Sequence, residues 1–296
     1  MQGIAAGVGG SSQNPNSSGR TYFHSQGTET KVPNTRFSKK QCIEKTPSNS
    51  ESDEAERNAA QALLDLAGNH PVNKTKIVEA GELPGLIVLL NTGSPEAKGN
   101  AARALTNLAV NPDNQTKIVE AGALSGLIAL FNTGSPEAKG NAARALTNLA
   151  GNHPVNQTKI VDEGALPGLM ALLNTGSDVA KNDAARALTN LALNPDNKTK
   201  IVEAGALPGL IALLSTNSDE SKKYAAGVLT NLAVNNPGNK TKIVEEGALP
   251  GLIALLNTGS LEAKGNAARA LTCLAVNRAK IGGVNLLRFL KQQRPR

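Results

Sequence analysis

Between residues 136 and 150 the apolar side chains return at steps of three and four: Ala142, Ala145, Leu146, Leu149 and Ala150. That spacing predicts an α-helix with one buried stripe. Ser135-Pro136-Glu137 supplies its start. Ser caps the unpaired N–H groups, Pro suits a first turn whose N–H has no partner, and Glu favours the positive helix end. Gly151 and Pro154 end the helix near Ala150. A short second helix is predicted over about residues 157–163, stopping at Gly164. A third begins near Leu166-Pro167 and is expected to bury Leu169, Ala171, Leu172 and Leu173 before the turn Asn174-Thr175-Gly176.

This three-helix pattern repeats. An Ala-Ala pair begins at 59, 101, 142, 184, 225 and 267, so successive spacings are 42, 41, 42, 41 and 42 residues. Periods of about 40–47 residues belong to HEAT or armadillo solenoids, whereas tetratricopeptide and ankyrin units are shorter. Composition agrees. Hydrophobic residues make up 40% of the chain, yet aromatics are 2% and Trp is absent. Thin layers of Ala, Leu, Ile and Val suit a stack of small units better than one thick core.

The string Asn-Gln-Thr-Lys-Ile-Val-Glu-Ala-Gly-Ala-Leu at 114–124, followed by Ala-Leu-Thr-Asn-Leu-Ala at 145–150, resembles the armadillo repeat signature. The Asn-Thr-Gly-Ser-Pro-Glu-Ala-Lys spacer at 91–98 and 132–139 is most similar to armadillo arrays of plant-type U-box ubiquitin ligases and vacuolar armadillo proteins. The expected fold is all-α, a right-handed α-solenoid of armadillo repeats. Residues 53–277 form the array, with five full units and partial ones at the ends. Residues 1–52, rich in Gly, Ser, Asn, Thr and Gln, read as a disordered polar and basic tail. Residues 278–296 read as a basic capping helix and tail, with Arg288, Lys291 and Arg294 on a helix over 284–292.

On the third helix of each unit, Asn141, Arg144 and Asn148 stand at i, i+3 and i+7 and share one polar stripe. Matching triplets are Asn100/Arg103/Asn107, Asp183/Arg186/Asn190 and Asn266/Arg269/Cys273, and Asn231 holds the last position of another unit. The armadillo resemblance implies that these stripes line a concave groove in which the second Asn of each triplet contacts a bound peptide. A carboxamide has both donors and an acceptor, so it pairs with the main chain of any sequence. Helices lie about 8–10 Å apart and an extended chain advances about 3.3 Å per residue, so each unit matches roughly two to three guest residues. Asp65 and Cys273 stand where a ladder Asn is expected, so the end units should bind differently. Tyr224 and Gly227 interrupt the stripe in one unit.

Where importin-α-type arrays carry a Trp four residues before the ladder Asn, this chain has Arg103, Arg144, Arg186 and Arg269. Guanidinium groups grip carboxylates or phosphates bidentately, so the expected guest is an acidic or phosphorylated linear segment of a protein. The missing Trp disfavours nuclear import as the task.

The net charge of +7 changes this picture little. Residues 1–50 carry +4 and residues 278–296 carry +6, which leaves −3 on residues 51–277. Basicity therefore sits in the tails, and nucleic acid or an anionic membrane is expected as partner only through them. Cys42 and Cys273 lack metal-ligand spacing and fit a reduced, intracellular setting, cytoplasmic or nuclear. No apolar run reaches the roughly 18 residues of a membrane span. The Ser-rich start leaves an organelle transit peptide open. Asn-x-Thr triplets at Asn73, Asn114, Asn156, Asn197 and Asn239 look like glycan acceptors but recur with the unit, and read as helix-start chemistry.

Enzyme signatures are absent. His70 and His153 occupy one repeated turn, Gly93–Gly99 misses phosphate-loop order, and Gly122–Gly126 lacks nucleophile-elbow spacing. No cofactor, metal or small-molecule substrate is expected. The function expected is that of a non-enzymatic scaffold or adaptor. The alternative is the substrate-recognition part of a ubiquitin ligase whose U-box would lie on another chain or a longer product.

Overall fold

The computed structural model describes residues 49–69 and 71–275; the expected capping helix over 284–292, His70, Cys42 and most of the N-terminal tail lie outside them. Among the described residues all regular structure is helical, and the first helix is α1 (Asn49–Asn69). Triplets follow: α2 (Pro71–Glu79), α3 (Leu83–Thr92) and α4 (Pro95–Leu108), then α5 (Pro112–Glu120), α6 (Ala123–Thr133) and α7 (Pro136–Ala150). The third triplet is α8 (Pro154–Asp162), α9 (Ala165–Thr175) and α10 (Asp178–Leu191), and the fourth α11 (Pro195–Glu203), α12 (Ala206–Leu213) and α13 (Asp219–Ala233). The last is α14 (Pro237–Glu245), α15 (Ala248–Thr258) and α16 (Leu261–Ala275). Each unit is a short helix, a middle helix and a long helix, and each long helix packs on the long helix of the next unit.

Local chemistry sets the ends. Ser135 accepts from the Ala138 N–H at the start of α7, with Pro136 in the first turn. Ser94, Ser177 and Ser218 repeat that cap. The second helix begins at Pro154, three residues before the sequence places it, because His153 Nδ1 accepts from Asn156 N–H and holds the first turn. Gly164 precedes α9 at φ 89°, a left-handed conformation that costs other L-residues about 1–2 kcal/mol. The alternation of 42 and 41 residues has a location. In the longer units Asn152 and Asn235 take the extra position at φ 51° and 57°. The shorter units turn directly through Asn111 and Asn194, which cap α5 and α11.

The core runs through the stack as one continuous layer. Ala142, Ala145, Leu146, Leu149 and Ala150 are all 0% exposed, as their spacing predicts. Each such Leu contributes about 1.5–3 kcal/mol, while the alanines let long helices approach closely. In α9 the prediction fails at Ala171, which is exposed. Leu166 and Met170 are buried with Leu169, Leu172 and Leu173, so the apolar stripe lies on the face away from residue 171. Gly126 and Gly168 admit Leu90 and Phe131 of the preceding unit, since a Cβ at Gly168 would lie 2.3 Å from the Phe131 ring.

Candidate functional site

The long helices place the predicted stripe along one side of the stack. Asn107, Asn148, Asn190 and Asn231 are half-buried. Asn148 Nδ2 donates to the carbonyl oxygen of Thr106 at 3.0 Å, Asn190 to Thr147 at 2.9 Å, and Asn231 to Thr189 at 3.0 Å. Each therefore ties its unit to the one before. None of the three side chains makes a further hydrogen bond among the described residues, so one N–H and the Oδ1 of each stay unengaged. Asn107 makes no such link among the described residues, and Cys273, half-buried at the same position of the last unit, has no carboxamide to make it.

The threonines beside the ladder work in the opposite direction. Thr106 Oγ1 donates to Asn141 O at 3.2 Å, and Thr230 Oγ1 to Asn266 O at 3.2 Å, one unit ahead. Neighbouring long helices are thus joined through main-chain carbonyls in both directions.

The arginines divide. Arg144 holds Asp183 bidentately, Nε to Oδ1 at 3.2 Å and Nη2 to Oδ2 at 2.7 Å. Asp183 stands 39 residues on, where four other units carry Asn, and is 7% exposed. Arg103 and Arg186 are exposed and in no ion pair among the described residues. Arg269 is exposed, and the residues after 275 lie outside the described ones. Arg103, Arg144, Glu137, Asn141 and Asp183 line one cleft of about 440 Å³ between α4, α7 and α10. Asn141 is 6% exposed, so it forms the wall of that cleft rather than a projecting head. Asn100 is half-buried on α4.

Two features of this face escape a reading unit by unit. One is the pairing of Arg144 with Asp183, signalled only by an acid in a column of amides. The other is a row of glutamates, Glu96, Glu137, Glu220 and Glu262, seven residues before the arginine column and so on the same helix face. Glu96 meets Arg57 at 3.6 Å and Glu262 meets Lys223 at 3.2 Å across unit boundaries. In the unit of Asp183 this row holds Val179 instead.

The repeated Asn-x-Thr asparagines serve the stack. Asn114, Asn156, Asn197 and Asn239 are 0–2% exposed. Each sits in the first turn of a short helix and donates to a last-turn carbonyl of the preceding long helix: Leu108, Leu149, Leu191 and Leu232. They answer unpaired groups at helix C-termini, and their burial leaves no room for a glycan in the folded chain. Lys198, next in line, reaches forward to Val234 O at 2.8 Å. Burial lowers its pKa, while the Cys273 sulfur opposes that shift.

A sequence profile described as the plant U-box protein ARM repeat region matches residues 40–275. The chain belongs to this family. Its array also superimposes on solved armadillo structures. A set of computationally designed armadillo repeat proteins for modular peptide recognition gives a TM-score of 0.71 at 35% identity, covering 76% of this chain and 95% of that one. A designed armadillo repeat protein in complex with the peptide (KR)4 gives 0.68 at 34% identity, covering 77% and 95%. An engineered protein gives 0.72 at 34% identity, covering 77% and 94%. A search of the curated proteins gives no match. The armadillo array is a scaffold fold built for contact with proteins. Among its described residues no helix is long and apolar enough to cross a membrane, and no three His, Cys, Asp or Glu residues cluster as metal ligands.

Proposed function

We propose that this armadillo array is a non-enzymatic scaffold that holds an extended segment of a partner protein along its row of long helices, with a preference for acidic or phosphorylated side chains. The observation that carries the reading is the unengaged half of each ladder amide. Asn148, Asn190 and Asn231 use one N–H on the stack, which fixes each carboxamide and leaves the remaining N–H and Oδ1 for a guest main chain. An amide held in place loses less entropy on binding. The designed relatives that recognise peptides support the same use of the fold. The charge preference rests on Arg103 and Arg186, because Arg144 already has a carboxylate. Such a partner fits a cytoplasmic or nuclear setting.

The test is a pull-down, with peptide-array binding, comparing the intact chain and Asn107→Ala/Asn148→Ala/Asn190→Ala. Loss of partners from a variant that still melts cooperatively is expected. Retention of the full partner set at normal affinity overturns the proposal. The family match favours a second reading, substrate recognition for a ubiquitin ligase. That reading predicts that a captured partner is ubiquitinated when a U-box module is supplied on a separate chain, and not by this chain alone.

A further inference from the structure

The arginines of the face are unequal, and their inequality sets a spacing. At the corresponding register of the next unit's long helix, 38 or 39 positions on, stand Asn141 for Arg103, Asp183 for Arg144 and Tyr224 for Arg186. Only Asp183 carries a charge, and it takes both arms of the Arg144 guanidinium at 3.2 and 2.7 Å. That pair also shows what the site accepts: a carboxylate in this position is gripped edge-on by the preceding unit's arginine. Arg103 and Arg186 have no acid at that register and make no ion pair among the described residues. The Tyr224 hydroxyl turns instead to Glu220, 3.4 Å away.

The glutamate row refines the requirement. Glu137 and Glu220 are exposed on the same face and outside ion-pair distance of Arg103 and Arg186. A continuous acidic run would be pressed against that row. Single anions directed at the two arginines would not. Arg103 and Arg186 lie two units apart, about 16–20 Å for helices packed at 8–10 Å, and an extended chain crosses that distance in about five to six residues.

From this we infer that the guest carries two anionic side chains about five to six residues apart, one for Arg103 and one for Arg186, with an uncharged stretch over the internally neutralised Arg144. This rests on the reading of the face as a holder of extended segments. Aspartate, glutamate and phosphoserine share the required chemistry, and separate peptide series distinguish them.

The experiment measures binding of the full chain to fluorescent twelve-residue peptides with a neutral background and two Glu, or two phosphoserines, separated by one to nine positions. Affinity is expected to peak near a separation of five to six, about 1.5-fold to fivefold above separations of two to three, the gain typical of one exposed ion pair. Arg103→Ala/Arg186→Ala should abolish the peak; both side chains are exposed, so the fold should survive. Asp183→Asn installs the residue that other units carry and releases Arg144, so it should add a second optimum at two to three positions. Affinity that ignores separation, or a peak unmoved by both variants, overturns the spacing while leaving a peptide holder standing. Failure to bind any peptide of the set, neutral or anionic, removes the holder reading itself and the spacing with it.

Discussion

Asn190 Nδ2 lies 2.9 Å from the carbonyl oxygen of Thr147, across the boundary between two units. The residue expected to meet a guest is therefore also a tie within the stack. Asn190→Ala should lower stability by about 0.5–1.5 kcal/mol, the net value of one such hydrogen bond. Asn148→Ala and Asn231→Ala should do the same, nearly additively where the bonds share no partner. Urea unfolding checks this, and equal midpoints for wild type and Asn148→Ala/Asn190→Ala/Asn231→Ala would refute it. Asn190→Asp should cost more, because it removes the donor and sets a carboxylate against a carbonyl.

The buried asparagine row should matter more than the ladder. Asn156 is 1% exposed and donates to Leu149 O at 3.0 Å, at the end of α7. Asn156→Ala leaves that carbonyl without its partner in a dry site, a loss of about 1–3 kcal/mol. Hydrogen exchange at the C-terminal turn of α7 and the amides of α8 should accelerate before the rest of the array is affected. Uniform exchange across the chain would argue against a local cap.

Gly168 tests packing between units. An added methyl would stand 2.3–2.5 Å from Phe131, including its Cβ, which cannot swing aside. Gly168→Ala should destabilise by about 1–3 kcal/mol, as overpacking does. Phe131→Ala keeps that Cβ but removes the ring, so the double variant should lose less than the sum of the two single losses, and thermal melts of the three variants decide. A double variant weaker than the sum of the two single losses would show that the clash lies elsewhere.

Lys198 gives a pH signature. It is 7% exposed, and burial lowers its pKa below the ordinary 10.5, with the Cys273 sulfur working against the shift. The unfolded chain therefore holds this proton more tightly than the folded one. Stability should rise as pH climbs through the window between the lowered value and 10.5. Below that window the burial penalty is fully present. Lys198→Gln places the residue found at Gln115 and Gln157, whose amides donate to Ala109 O and Ala150 O. The variant should flatten the alkaline rise in denaturant midpoint; an unchanged slope would assign the rise to other groups.

Much of this was legible in order of residues. Ser135-Pro136-Glu137 marks the start of α7, and the spacing of Ala142, Leu146 and Leu149 marks its buried side, because caps and periodicity act within one or two turns. The start of α8 is hidden in the sequence, since its cap is a histidine, a residue with weak capping preference. Ala171 sits in the apolar run 169–173 and so looks like core in the sequence, although the helix turns it outward.

Residue order alone carries the three-helix unit, its returns and the buried stripe of the long helix, because these depend on neighbours no more than a few turns away. Only the stacked structure decided the fate of the polar side chains. Arg144 finds Asp183 across 39 residues, Asn190 finds Thr147 across 43, and Lys198 finds Val234 across 36. A polar group's energy depends on its partner and on the loss of water, and both are supplied by the adjoining unit.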